Sequence, residues 1–242
     1  MTSIKTTVMI ILMIIILCRN AFTQNPVLDS ITQLEEFENI AEKGQWEIAK
    51  QKKGITLSYR TLKVNDTLNT RELAVNFTIS ASNNRFIEFI KNPVKVENWN
   101  EGVRQNKLLE SGDSTWVSST IFDIPYPFPQ QELVSRYTIH EEKGTMNISI
   151  CSEPNYIAIK KGYNREKHNW GRWQLQPKSK GEVEVTFSAV SLSNSSIPRF
   201  IKDPILKRKL VNSFIKLKDQ LESKQYTLLL NDNGIPILKK AI

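Results

Sequence analysis

The spacing of apolar residues changes character several times along the chain, and each change marks an element. In residues 29–43 (DSITQLEEFENIAEK), Ile31, Leu34, Phe37 and Ile40 with Ala41 recur at helical spacing. A cap at Asp29 or Ser30 and a stop at Gly44 bound them, which predicts a short amphipathic helix. Strands are predicted over 46–50 and 55–62, joined by the hairpin signal Lys52-Lys53-Gly54. Leu73, Val75, Phe77 and Ile79 then alternate with Glu72, Ala74, Asn76 and Thr78, the pattern of a half-buried strand. At Ser82-Asn83-Asn84 a second helix is capped, carrying Phe86, Ile87, Phe89 and Ile90; Asn92-Pro93 ends it and leaves 94–100 irregular. Strands follow over 103–110, 115–122, 132–140, 145–151, 168–176 and 182–192, with turns short enough to make consecutive strands antiparallel neighbours.

The last large element differs in kind. Between Pro198 and Leu221, Ile201, Ile205, Leu206, Leu210, Val211, Phe214, Ile215, Leu217 and Leu221 repeat at three and four, a broad apolar stripe. Lys202, Lys207, Arg208, Lys209, Lys216 and Lys218 occupy the other face. Such a helix is about 30 Å long and needs an apolar partner, which the curved sheet alone can supply. The fold class is therefore α+β, a curved antiparallel sheet wrapped round a long C-terminal helix. A sheet of this size on one helix leaves a gap, and such gaps are ligand sites. Residues 226–242 read as a tail in which Asn233-Gly234 turns between two short apolar pieces.

The N-terminus changes the length of the folded unit. A short positive start with Lys5 precedes an unbroken apolar run over 8–18, then Ala21 and Thr23 at the small-residue positions before Gln24. This is the layout of a secretory signal peptide cleaved near Thr23/Gln24, with a retained anchor or a lipoprotein built on Cys18 as the alternatives. Cleavage predicts an exported protein, periplasmic or extracellular. The expected division is 1–23 signal peptide, 24–225 ligand-binding domain and 226–242 tail. Without Lys5 and Arg19 the net charge falls from +8 to +6, scattered among acids, with no basic stripe interleaved with aromatics; no nucleic-acid partner is expected. Cys151 is then alone, so no internal disulfide forms.

Catalysis finds little support in the motifs. The chain has two histidines, His140 and His168, and no HExxH, CxxC or Gly-rich phosphate loop. No cofactor and no metal are expected, and Cys151 reads as an inert thiol.

Three stretches carry a resemblance: FIEFIKNPVKVENWNEGVRQNKLLES (86–111), IPYPFPQQELVSR (124–136), and WGRWQLQP followed by VTFSAVSLSNSSIPRFIKDPILKRKLVNSFIKLKDQL (170–221). In this order they resemble the START domain, the lipid-transfer module related to the steroidogenic acute regulatory protein, and most of all its small exported bacterial members. The resemblance implies a helix-grip fold with an internal apolar tunnel, non-enzymatic binding and transfer of one hydrophobic ligand, lipid or sterol-like, in a monomer, and access through movement of the C-terminal helix. The family's rival activity on this grip is a cyclase or aromatase.

The implied tunnel residues are Trp116, Leu133, Ser135, Tyr137, Trp173, Phe187, Ile201, Ile205, Leu210 and Phe214. For the aromatics, packed core is the competing role. Where family members place an Arg-acid pair after the proline turn, Gln131-Glu132 stand here, and at the position of a cavity charge stands Tyr137. A neutral hydroxyl contact is the expectation. The basic face of the last helix is expected either to be solvated or to touch an anionic membrane surface transiently during exchange.

Overall fold

The computed structural model describes residues 28, 30–66, 68–124, 129–192, 199–223, 226–230 and 236–240. For residues 180, 199–206, 226–230 and 236–240 it describes the backbone alone. The predicted signal segment 1–23 and the prolines of 125–128 lie outside the described residues.

The first helix is α1 (Leu34–Ile40). It is shorter than predicted because Thr32 and Gln33 take over the cap: the backbone N–H of Thr32 donates to Glu36 Oε2 over 2.6 Å. Strands β1 (Glu42–Lys43), β2 (Glu47–Lys52), β3 (Ile55–Lys63) and β4 (Asn69–Ile79) follow. Lys53 and Gly54 both have positive φ, 50° and 75°, the geometry of a type I′ hairpin turn. Helices α2 (Asn83–Lys91) and α3 (Pro93–Trp99) come next. The second corrects the irregular stretch expected at 94–100: Asn92 ends α2 and also caps α3, its side chain accepting from Lys95 N at 3.2 Å, with Pro93 at the first helical position.

Strands β5 (Val103–Ser111), β6 (Thr115–Phe122), β7 (Gln130–Glu142), β8 (Thr145–Ser152), β9 (Tyr163–Arg165), β10 (Asn169–Pro177) and β11 (Val183–Ser191) complete the sheet before α4 (Arg199–Glu222). A separate hairpin, β12 (Tyr226–Leu230) with β13 (Pro236–Lys240), forms the tail.

The main sheet has eleven strands in the order β1-β3-β4-β11-β10-β8-β7-β6-β5, with β2 also on β3 and β9 parallel to β7. Side chains alternate between two faces, and each face has its own core. The inner face contributes Ile55, Leu57, Val75, Phe77, Ile148, Ile150, Trp173 and Val185 to a cluster with α2, Trp99 and the α4 residues Val211, Phe214, Leu217 and Leu221. The outer face contributes Leu62, Trp170 and Val190 to a second cluster beneath the N-terminal segment, with Leu34 and Phe37 of α1. Phe37 stacks on Trp170 at 4.9 Å, and the Trp170 indole donates to Ile31 O at 2.9 Å. The apolar stripe read for the first helix is thus spent on the side of the sheet away from α4.

Candidate functional site

Antiparallel register lines up the inner-face residues in rows. One row runs Leu73, Ala189, Gly171, Ile150, Tyr137, Trp116 across β4, β11, β10, β8, β7 and β6. The next towards the closed end runs Val75, Phe187, Trp173, Ile148, Ile139. The second row is bulky and meets the helix: Phe214 lies 5.7 Å from Phe77, 5.8 Å from Trp173 and 5.6 Å from Phe187. Trp173 also meets Phe86 at 5.1 Å. The first row is thin at its middle, where Ala189 and Gly171 contribute a methyl group and nothing. A Cβ on Gly171 would fall 3.1 Å from Ser188 O and 3.3 Å from Ile150 Cδ1, so Ile150 already closes over this position.

Beyond the thin row the inner face turns polar. Tyr137 stacks flat on Trp116, centroids 4.6 Å apart and planes at 6°. Its hydroxyl shares a hydrogen bond with Ser118, and burial pushes its pKa up, with Ser118 opposing. Ser135 stands across the β6–β7 ladder from Ser118. Its Oγ is buried and has no hydrogen-bond partner. The next pair along the ladder is Thr120 with Leu133, and the amide of Asn106 donates to Thr120 Oγ1 at 2.8 Å. Trp99, at the end of α3 and 6.1 Å from Phe214, holds a second unpartnered buried donor, Nε1. Leaving a buried hydroxyl or N–H unpaired costs about 1–3 kcal/mol each, so an added hydrogen-bond partner would be favourable at Ser135 Oγ and at Trp99 Nε1.

The predicted site residues therefore divide. Trp116, Ser135 and Tyr137 form one polar-aromatic group, with half-buried Leu133 at its edge. Trp173, Phe187 and Phe214 are joined as one aromatic cluster between sheet and helix, and Leu210 packs against it half-buried. The side chains of Ile201 and Ile205 lie outside the described residues. Ser118, Thr120, Asn106 and Trp99 were not singled out from the sequence. Serines and threonines in a strand carry no period of their own, and the register alone places them beside Tyr137.

Several of the basic residues of α4 already have partners. Lys216 pairs with Glu101 at 2.7 Å, and Lys207 lies 5.2 Å from the Tyr59 ring centroid. Arg208 is exposed. Cys151 is half-buried, and burial lifts its thiol to about 11, which keeps it protonated and unreactive at neutral pH.

The deeply buried charges lie on the outer face. Glu132 points away from Tyr137, and its partner is Arg165 of β9 at 2.8 Å, both side chains 1% exposed. Position 131 is Gln, as the sequence shows, and the cation that pairs with Glu132 comes from the parallel strand β9. Glu72 accepts from Arg60 Nε at 2.6 Å while Arg60 Nη2 reaches Glu38 at 2.7 Å. Desolvation raises the Glu72 pKa to about 7, with Glu38 adding to the rise and Arg60 opposing it. A carboxyl held above its unfolded value binds its proton more tightly when folded. Its stabilising contribution is complete below about 4.5 and is lost as pH rises through about 7. Urea unfolding at pH 5 and pH 8 is expected to show a fall in stability over this window, and Glu72→Gln to flatten it; an unchanged slope in the variant would remove Glu72 as the source.

No protein-family model matches the chain. An uncharacterized protein of Pseudomonas aeruginosa is 29% identical over 141 residues, 57% of this chain and 69% of the relative. Among solved structures, the STAR-related lipid transfer protein of Xanthomonas axonopodis is similar with a TM-score of 0.64 at 20% identity, covering 74% of this chain and 99% of that one. Human StAR-related lipid transfer protein 5 gives 0.59 at 16% identity, over 73% of this chain and 86% of that one. The chain has the helix-grip fold of the START domains, an open sheet of eleven strands, antiparallel except where β9 joins β7, with a long C-terminal helix. The Xanthomonas protein is matched over nearly its whole length, so the shared unit is the entire grip.

Proposed function

We propose that the protein binds one hydrophobic molecule with a hydroxyl or carbonyl head, non-covalently, between the inner face of the sheet and α4. The observation that carries this reading is the buried, unpartnered Ser135 Oγ two residues from Tyr137 on the same strand face. The apolar body lies against inner-face residues such as Ile150, Phe187 and Leu210, and burial of its surface supplies most of the affinity at roughly 25 cal/mol per Å2. The head group is held by Ser135 and Tyr137. Similarity to STAR-related lipid transfer proteins supports a lipid or sterol-like ligand. Binding is favoured over cyclase-type chemistry because the buried carboxylates Glu72 and Glu132 both lie on the other face of the sheet.

Native mass spectrometry of the full chain purified from its own host, followed by lipid extraction, is expected to show one apolar molecule per chain; a protein that neither retains nor takes up any such molecule would sink the reading. Tyr137→Phe is expected to weaken a ligand with an oxygen head by about three- to tenfold, one neutral hydrogen bond, while leaving thermal unfolding nearly unchanged. Equal affinity of the two forms would move the head group elsewhere.

A further inference from the structure

The outer face of the sheet, away from the grip, carries a cavity of about 410 Å3. That lies within the ~300–1,000 Å3 of ordinary small-molecule sites. Its floor is built from outward-facing residues of β3, β4, β10 and β11, one wall is Glu38 of α1, and Trp46 stands at its side. Apart from Trp46 and Ala74, every lining side chain is polar or charged.

We propose that this cavity is a second binding site and that its ligand is a neutral polyhydroxylated molecule, a saccharide. Two buried atoms in its lining have no partner: Glu72 Oε1, an acceptor, and Arg172 Nε, a donor. The amides add to the same mixture. Asn76 uses its carbonyl to accept from Thr186 Oγ1 at 2.8 Å, which leaves its NH2 to donate. Gln174 uses its NH2 to donate to Asn147 Oδ1 at 3.1 Å, which leaves its carbonyl to accept. Donors and acceptors are thus interspersed over one small surface, and a hydroxyl is the group that answers both, since it donates and accepts at once. A phosphate is chiefly an acceptor, with at most one or two P–OH protons to give, and an ammonium only donates, so neither answers the mixture as a set of hydroxyls does.

The charges point the same way. Arg60 is shared between Glu72 and Glu38, and Arg172 pairs with Glu35 and lies 3.9 Å from Glu38. Each guanidinium already has its carboxylates, so neither is left over for an anion. Trp46 is 43% exposed. Arg60 sits over its ring at 4.7 Å from the centroid, which fixes the indole in place. A held, exposed indole beside carboxylates, amides and guanidiniums offers a platform for the C–H face of a pyranose ring while its hydroxyls reach the floor. The Glu72 carboxyl, titrating near neutrality, can meet a sugar hydroxyl as acceptor or donor.

The test uses the isotope-labelled full chain titrated at millimolar concentration with pentoses, hexoses, N-acetylhexosamines and their disaccharides. Inorganic phosphate and ethylammonium are titrated alongside. At least one sugar is expected to shift the Trp46 indole N–H and the Arg172 Nε–H resonances together. Trp46→Ala, at a partly exposed loop position, is expected to weaken that binding at least about tenfold, equivalent to about 1.4 kcal/mol, without moving the unfolding midpoint. Tyr137→Phe is expected to leave it unchanged, which separates this site from the grip. Silence of these resonances towards every sugar overturns the proposal, as does sugar binding indifferent to Trp46→Ala. A larger response to phosphate or ethylammonium overturns the ligand class.

Discussion

Arg165→Met is expected to lower the unfolding free energy by about 3–5 kcal/mol, the cost of leaving a buried charge without its partner. Arg165 donates to Glu132 Oε2 through Nη2 at 2.8 Å and through Nε at 3.2 Å. Through Nη1 it also donates to the carbonyls of Pro154 at 2.7 Å and Ile157 at 3.2 Å. The other Glu132 oxygen accepts from Ser119 Oγ at 2.9 Å. A third loop carbonyl, that of Ala158, accepts from Nη2 at 3.4 Å, so one guanidinium satisfies a buried carboxylate and three carbonyls of the 154–158 loop. Methionine fills much the same volume and satisfies none of them. A domain of this size loses roughly 2–4 °C in melting temperature per kcal/mol, so a drop of about 10 °C should be seen by calorimetry. The double variant with Glu132→Gln removes the stranded charge and should recover a large part of the loss. A double variant as unstable as the single one would show that the loop carbonyls, and not the ion pair, dominate.

Ala189→Trp is expected to abolish uptake of the apolar ligand, with affinity down by well over about tenfold, while stability holds or rises. Ala189 sits in the thin row between Leu73 and Gly171. If the space above it is a binding gap, an indole fills it and displaces the ligand. A core already packed to native density would instead resist, and overfilling would cost about 1–3 kcal/mol. Binding assays and urea unfolding on the same variant thus separate the two cases. Loss of binding with retained stability supports the gap; loss of stability with unchanged binding places the ligand elsewhere.

Much of the grip was legible in the sequence because its elements are written in strong periods. The alternation from Leu73 to Ile79 and the stripe on the last helix each require burial on one side; Val75, Phe77 and Ile79 of the first and Val211, Phe214, Ile215, Leu217 and Leu221 of the second lie in the inner core. Trp116 and Tyr137 were named together as tunnel residues by the resemblance, and strand register stacks them. What was not legible depended on pairing between distant strands. Glu132 and Arg165 are 33 residues apart and meet because a three-residue strand runs parallel to β7, a unit too short to show a period. Ser118 and Ser135 become a pair only once β6 and β7 are in register. The second core was hidden for a related reason: an amphipathic stripe says that a helix is covered, and nothing about which side of a sheet covers it. Asn92-Pro93 was read as a stop, although the same two residues start a helix whenever the chain has room to turn.

The far end of α4 is tied down from several directions. Ser213 Oγ accepts from Glu101 N at 2.8 Å, Asn212 donates to Glu101 Oε2 at 3.2 Å, and Lys216 pairs with the same carboxylate. A turn and more later, Arg85 donates to the carbonyls of Gln220 and Ser223, and Glu222 accepts from Ser80 N at 3.2 Å. These ties come from α2, the turn before it and the loop after α3, so the helix is moored at its C-terminal end. These six contacts fix residues 212–223 of α4 to the elements beside it. Substitution of Glu101 or Arg85 is therefore expected to loosen the stretch of α4 that carries Phe214 and Leu217 into the inner core, and to act on stability before it acts on any ligand contact.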